Sequence, residues 1–151
     1  AALGGEWDGF TDEEHAEYIA KQDRMVIEAA YEAGAKFVIL HMCKPKVKLE
    51  RFLGYPCDVV NWGIEESGVS LPEGQELFPG KVVLGGLNNR HGALITGDYE
   101  QLEQEIHRII RQMEPGRFIL GSDCTLPPDL DYGRIAMAVK ACGTYGDDFP
   151  A

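Results

Sequence analysis

The chain has 151 residues, 44% of them hydrophobic and 26% charged, a composition that supports a packed core in one domain. No apolar run reaches the roughly 18 residues of a membrane-spanning helix, and the start at Ala1 lacks the basic and apolar regions of a signal peptide. A formal net charge of −11 argues against a nucleic-acid partner, because such affinity rests on neutralising phosphates.

The opening Ala1-Ala2-Leu3-Gly4-Gly5, without an initiator Met, reads as the start of a piece of something longer. Thr11 with Glu14 three residues later forms a capping-box pattern, predicting a helix that runs towards Gly34. Four short apolar runs follow, at 36–41, 58–62, 81–87 and 117–121. Three of them contain continuous hydrophobic stretches, the pattern of strands buried on both faces of a parallel sheet. Asp98 and Gln101 fit the start of a helix over 99–113, with Leu102, Ile106, Ile109, Ile110 and Met113 on one face and Pro115-Gly116 beyond its end. A last helix over 132–141 is expected to place Ile135, Met137, Ala138 and Val139 near the core. His15 and His107 fall at surface positions of their helical patterns. Strands alternating with helices imply βαβ units, and four strands make either half of an eight-stranded barrel or a small open sheet. A half barrel has two raw edges, which predict association with missing sequence or with another copy of the chain.

In such folds chemistry collects at the carboxyl ends of the strands. Each apolar run here ends in polar residues: His41-Met42-Cys43, Asn61-Trp62, Asn88-Asn89-Arg90-His91 and Ser122-Asp123-Cys124. Residues two apart on a strand point the same way, so His41 and Cys43 project together. Imidazole and thiolate are good zinc ligands, and Cys124 stands at the matching place on the fourth run. Three protein ligands and one open position describe a catalytic zinc site. A bare His-x-Cys also arises by chance, and the alternative is a hydrogen-bonded histidine beside two small buried cysteines. Cys57 and Cys142 lie away from the strand ends and are assigned to packing. The wide spacing of the four cysteines, without CxxC, fits a cytoplasmic protein better than a disulfide scaffold. Gly85-Gly86 lacks the Gly-Lys-Ser/Thr of a phosphate loop.

The runs Phe37-Val38-Ile39-Leu40-His41-Met42-Cys43, Val82-Val83-Leu84-Gly85-Gly86-Leu87 and Phe118-Ile119-Leu120-Gly121-Ser122-Asp123-Cys124-Thr125-Leu126-Pro127 resemble the uroporphyrinogen decarboxylase superfamily. The resemblance extends from about Gly5 to Tyr145 and implies the carboxyl-terminal half of a (β/α)8 TIM barrel: residues 1–151 as one partial domain, its last four β/α units. One branch of that superfamily decarboxylates porphyrinogens without a metal and carries a His in the last of these stretches, where this chain has none. The other comprises corrinoid-dependent methyltransferases of the methylcobalamin:coenzyme M type, marked by a His-x-Cys and a distant Cys that bind zinc. His41, Cys43 and Cys124 match that second pattern. The resemblance therefore implies a zinc-dependent methyltransferase, acting between a corrinoid (methylcobalamin) held by a partner protein and a small-molecule thiol or methylated donor. A decarboxylase, or an inactive fragment of either enzyme, is the alternative.

Other residues are weaker candidates. Glu65 or Glu66, just past the second run, offers a displaceable fourth ligand, against an ordinary loop carboxylate. Asn88, Arg90 and His91 offer an anion-binding loop, against a plain polar one. Lys44, Lys46 and Lys48 form a basic cluster beside the ligand motif, most simply a solvated face.

Overall fold

Four strands, β1 (Ile39–Met42), β2 (Val59–Trp62), β3 (Val82–Leu87) and β4 (Phe118–Ser122), form one parallel sheet in the order β1-β2-β3-β4. This is a computed structural model, and it describes residues 9–145; the first residues of the family resemblance, from Gly5, lie outside them. Strand order that follows the chain without reversing is the signature of a singly wound barrel wall, whereas an open doubly wound sheet reverses at a switch point. The helices lie on one face. The fold is thus the α/β half barrel expected from the sequence, four parallel strands with covering helices.

The covered face carries the core. Leu40 and Met42, Val60 and Trp62, and Val83 and Leu87 pack with Leu71, Phe78, Leu102, Ile106 and Ile109 of the covering elements. The opposite face is open towards the two edges of the sheet among the described residues, where Phe37 is 61% exposed, Ile39 46% and Ile119 45%, while Val59 and Asn61 of β2 are buried there as well. This corrects, for the first and last apolar runs, the expectation that they are buried on both sides. The first strand also begins later than predicted, at Ile39 rather than 36.

The helices begin where their caps are. Thr11 and Glu14 make the reciprocal capping box of α1 (Asp12–Glu14), which continues through a π turn at His15–Ala20 into α2 (Lys21–Glu32). Two short helices, α3 (Ile64–Ser67) and α4 (Leu71–Leu77), join β2 to β3, with Ser70 and Glu73 capping α4. After β3 come α5 (Ala93–Thr96) and α6 (Tyr99–Arg111), the latter opened by a capping box of Asp98 and Gln101. The last helix, α7 (Tyr132–Thr144), runs three residues beyond the predicted end.

Several side chains are not where periodicity alone places them. His15 is buried at 2% exposure, because the ring of Phe52, from a 3-10 turn at Leu49–Phe52, packs edge-on against it. His107 is half-buried, its Nε2 within 3.1 Å of the Ala141 carbonyl and 3.2 Å of Thr144 Oγ1, so it joins α6 to α7. On α7 the core contacts come from Ala138 and Ala141, while Ile135 and Val139 are exposed. Cys142, expected to pack inside, is exposed on the rim of an apolar groove with Leu87, Leu120, Leu126, Ile135 and Val139. That groove lies beside β4, the sheet edge where no further element is described. No helix among the described residues is long and apolar enough to cross a membrane.

Candidate metal centre

In a flat sheet, three strand spacings of about 4.8 Å would hold β1 and β4 roughly 14 Å apart. Barrel curvature and inward-leaning side chains remove that distance. One donor atom each from His41, Cys43 and Cys124 lies within 4.8 Å of the others, and all three residues are half-buried. His41 is the third residue of β1, Cys43 follows its end, and Cys124 lies two residues past β4. All three sit at the carboxyl end of the sheet. Among the described residues this is the one such cluster.

The donor set fits zinc. Tetrahedral bonds of about 2.0 Å to nitrogen and 2.3 Å to sulfur put the two ligand atoms about 3.5 Å apart. His41 Nε2 stands 3.4 Å from Cys124 Sγ. Two thiolates and an imidazole are ligands that zinc favours and that hard oxygen-seeking cations do not.

Asn61 and Asp123 stand directly beside these ligands, and neither was assigned a role from the sequence. Asn61 pairs with His41 in the parallel ladder, so the two side chains share a face. The Asn61 Oδ1 atom meets His41 Nδ1, while Asn61 Nδ2 donates to the carbonyls of Leu84 (2.8 Å) and Ser122 (3.2 Å). An Asn closing an apolar strand at the register of His41 was the available signal. Asp123 is buried, and its Oδ1 accepts from the Gly86 amide at 2.7 Å. Burial pushes its carboxyl up to about 6 against that hydrogen bond, and the charges of Glu66, Glu65 and Glu105 push in the same direction as burial. Gly85 and Gly86 hold φ of 151° and 110°, and a Cβ on Gly85 would lie 3.1 Å from Asp123 Oδ1 and 3.5 Å from Asn61 Nδ2. The glycine pair is therefore a close-approach device for this polar cluster rather than a ligand loop.

The weaker candidates find one another. Arg90 Nη2 pairs with Glu66 Oε1 at 2.8 Å, and His91 Nε2 meets Glu65 Oε1 at 2.6 Å. The His91 contact, with help from Asn88, holds the Glu65 carboxyl below its usual range. Asn88 Oδ1 also accepts from the amides of Arg90 and His91 and so shapes their turn. These residues brace the loops after β2 and β3 across the mouth of the sheet, and the two carboxylates stand outside the three-residue donor cluster. Of the three lysines, Lys48 pairs with Asp12 at 3.2 Å, and Lys46 has a left-handed backbone (φ 60°). Cys57 is buried, which pushes its thiol up.

The comparisons with known proteins bear on the fold and the family. Among solved structures, a methyltransferase from Methanosarcina mazei superposes with a TM-score of 0.74 at 14% identity, over 94% of this chain and 40% of that one. The chain thus spans well under half the length of that neighbour, and at such identity the likeness speaks for the fold. No curated protein sequence matches the chain. A sequence model of the family described as uroporphyrinogen decarboxylase (URO-D) matches residues 6–145. That match takes in all four strands and every ligand candidate, and the chain belongs to the uroporphyrinogen decarboxylase family.

Proposed function

We propose that the chain is the ligand-bearing part, the last four β/α units, of a zinc-dependent methyltransferase of this family. It moves a methyl group between a corrinoid carried by a partner protein and a small-molecule thiol or methylated donor. The observation that carries the reading is the convergence of His41, Cys43 and Cys124 at the carboxyl end of the sheet, with donor atoms within 4.8 Å. The methyltransferase among the similar structures supports it. The decarboxylase alternative draws on the family name, but no histidine stands between Gly121 and Pro127.

His41, Cys43 and Cys124 would hold the metal. Zinc bound there supplies Lewis acidity at an open position, which favours loss of a substrate thiol's proton at neutral pH. The chain's own residues prepare that site. His41 presents a ring nitrogen towards Cys124, the two cysteines supply sulfur from opposite edges of the sheet, and the Glu65–His91 and Glu66–Arg90 pairs hold the mouth loops in place. In transfer to a thiol, the methyl carbon would pass from the corrinoid to sulfur, the bonding pair would remain with the corrinoid, and the thiol proton would leave to solvent. Phe37, Ile39, Ile119 and the groove beside β4 are apolar surfaces that the rest of a closed barrel would cover.

Incubation of the zinc-loaded chain, combined with the remaining half of its barrel, with methylcobalamin and a small thiol tests this reading. The expected result is methyl thioether formed in step with loss of methylcobalamin, and stopped by removing zinc. Thioether formation at the same rate with and without zinc would contradict it.

A further inference from the structure

We propose that Asn61 is the positioning residue of the metal centre: it fixes His41 as the Nδ1-protonated tautomer and so directs Nε2 to the metal. The inference rests on the zinc reading above and adds a residue to it.

A neutral imidazole has one protonated and one bare nitrogen, and only the bare one can ligate. What the other nitrogen touches selects between them. Here the selection is forced by acceptors that have no alternative role. The carbonyls of Leu84 and Ser122 can only accept, and both lie within hydrogen-bond distance of one end of the Asn61 amide. That end must therefore be the NH2 group, and both its protons are used. The other end is then Oδ1, an acceptor, and it faces His41 Nδ1. Nδ1 must carry the proton. Nε2 is left bare, facing Cys124 Sγ at 3.4 Å.

The same side chain ties three strands together. Asn61 lies on β2, accepts from β1, and donates to β3 and to β4 two residues before Cys124. Gly85 faces the same amide, and a Cβ there would lie 3.5 Å from Asn61 Nδ2, an ordinary contact distance. Both ligand-bearing strands are thereby referenced to one buried amide, 6% exposed. Aspartate at this position would turn an oxygen towards two carbonyls, and leucine would remove the contacts that Asn61 makes to all three partners.

The test uses the full 151-residue chain, isotopically labelled at its histidine nitrogens, as wild type and as Asn61→Leu. Two-bond nitrogen–proton couplings report which ring nitrogen of His41 is protonated, and chelator competition gives the zinc affinity. The expected wild type carries the proton on Nδ1 with and without zinc. In Asn61→Leu the metal-free ring is expected to populate both tautomers, and zinc affinity to fall about 10- to 100-fold. Metal-free wild type protonated at Nε2 overturns the inference without any variant. So does Asn61→Leu that keeps wild-type affinity and tautomer, a result that leaves the zinc reading standing. Wild type that binds no zinc sinks the zinc reading itself.

Discussion

Asp58 shows how a single exposed carboxylate can organise the amino-terminal end of the sheet. Its Oδ2 accepts from the Val38 amide at 2.8 Å and from the hydroxyl of Tyr31, at the end of α2. The two contacts, the tyrosine first, hold the Asp58 carboxyl below its ordinary 3.8, and the shared proton pushes Tyr31 up to about 12. A carboxyl whose pKa is lower folded than unfolded stabilises the fold above its unfolded value. That contribution is lost as pH falls through the folded value. The urea midpoint should therefore fall less steeply below about pH 4 in Asp58→Asn than in wild type. Equal slopes would show that the contacts contribute nothing. At this scale the candidate donors are legible in the sequence and the residues beside them are not. His41 and Cys43 reveal themselves by two-residue spacing on a strand, and Cys124 by its place after another strand. Asn61 and Asp123 act through backbone carbonyls and amides of β3 and β4, which sequence spacing does not display. Glu65, Glu66, Arg90 and His91 are only weak ligand candidates in the sequence, and their pairing with one another is hidden there because the partners stand 24–26 residues apart.

Elements were readable in proportion to their length. The capping boxes at Thr11 and Asp98 and the one-sided apolar pattern of α6 mark helices long enough to show a period. Helices α3, α4 and α5 span four to seven residues, too few turns for periodicity to register. One of them carries a packing constraint that reverses a general rule. Glycine in a helix interior costs about 1 kcal/mol relative to alanine, so glycine-to-alanine changes usually stabilise. A Cβ on Gly74 of α4, however, would lie 2.1 Å from Cη2 and 2.2 Å from Cζ2 of Trp62, which is 1% exposed and donates from Nε1 to the Val69 carbonyl. Overpacking of this kind costs about 1–3 kcal/mol. Gly74→Ala should lower the melting temperature. Gly143→Ala, in α7 with no atom within 4 Å of the added Cβ, should leave it unchanged or raise it. A stabilised Gly74→Ala would mean that the indole has room to move.

The described residues form a curved wall rather than a closed barrel. The candidate metal centre depends on that curvature, because β1 and β4 are the two edges of the sheet and the donor atoms of His41, Cys43 and Cys124 meet only when the wall bends. The strand count and parallel arrangement could be read from the alternation of apolar runs and helices. The one-sided burial could not, because Phe37, Ile39 and Ile119 have the composition of residues covered on both faces. Under the proposed function those residues, with the groove beside β4, face the rest of the barrel. The measurement that bears most directly on this account is zinc per chain by elemental analysis. It is made on wild type, Cys43→Ser and Cys124→Ser, each purified under reducing conditions and offered the metal. About one zinc in the wild type and a strongly reduced content in both variants is the expected result. A wild type without zinc, or serine variants that retain it, would contradict the site and the methyl-transfer reading built on it.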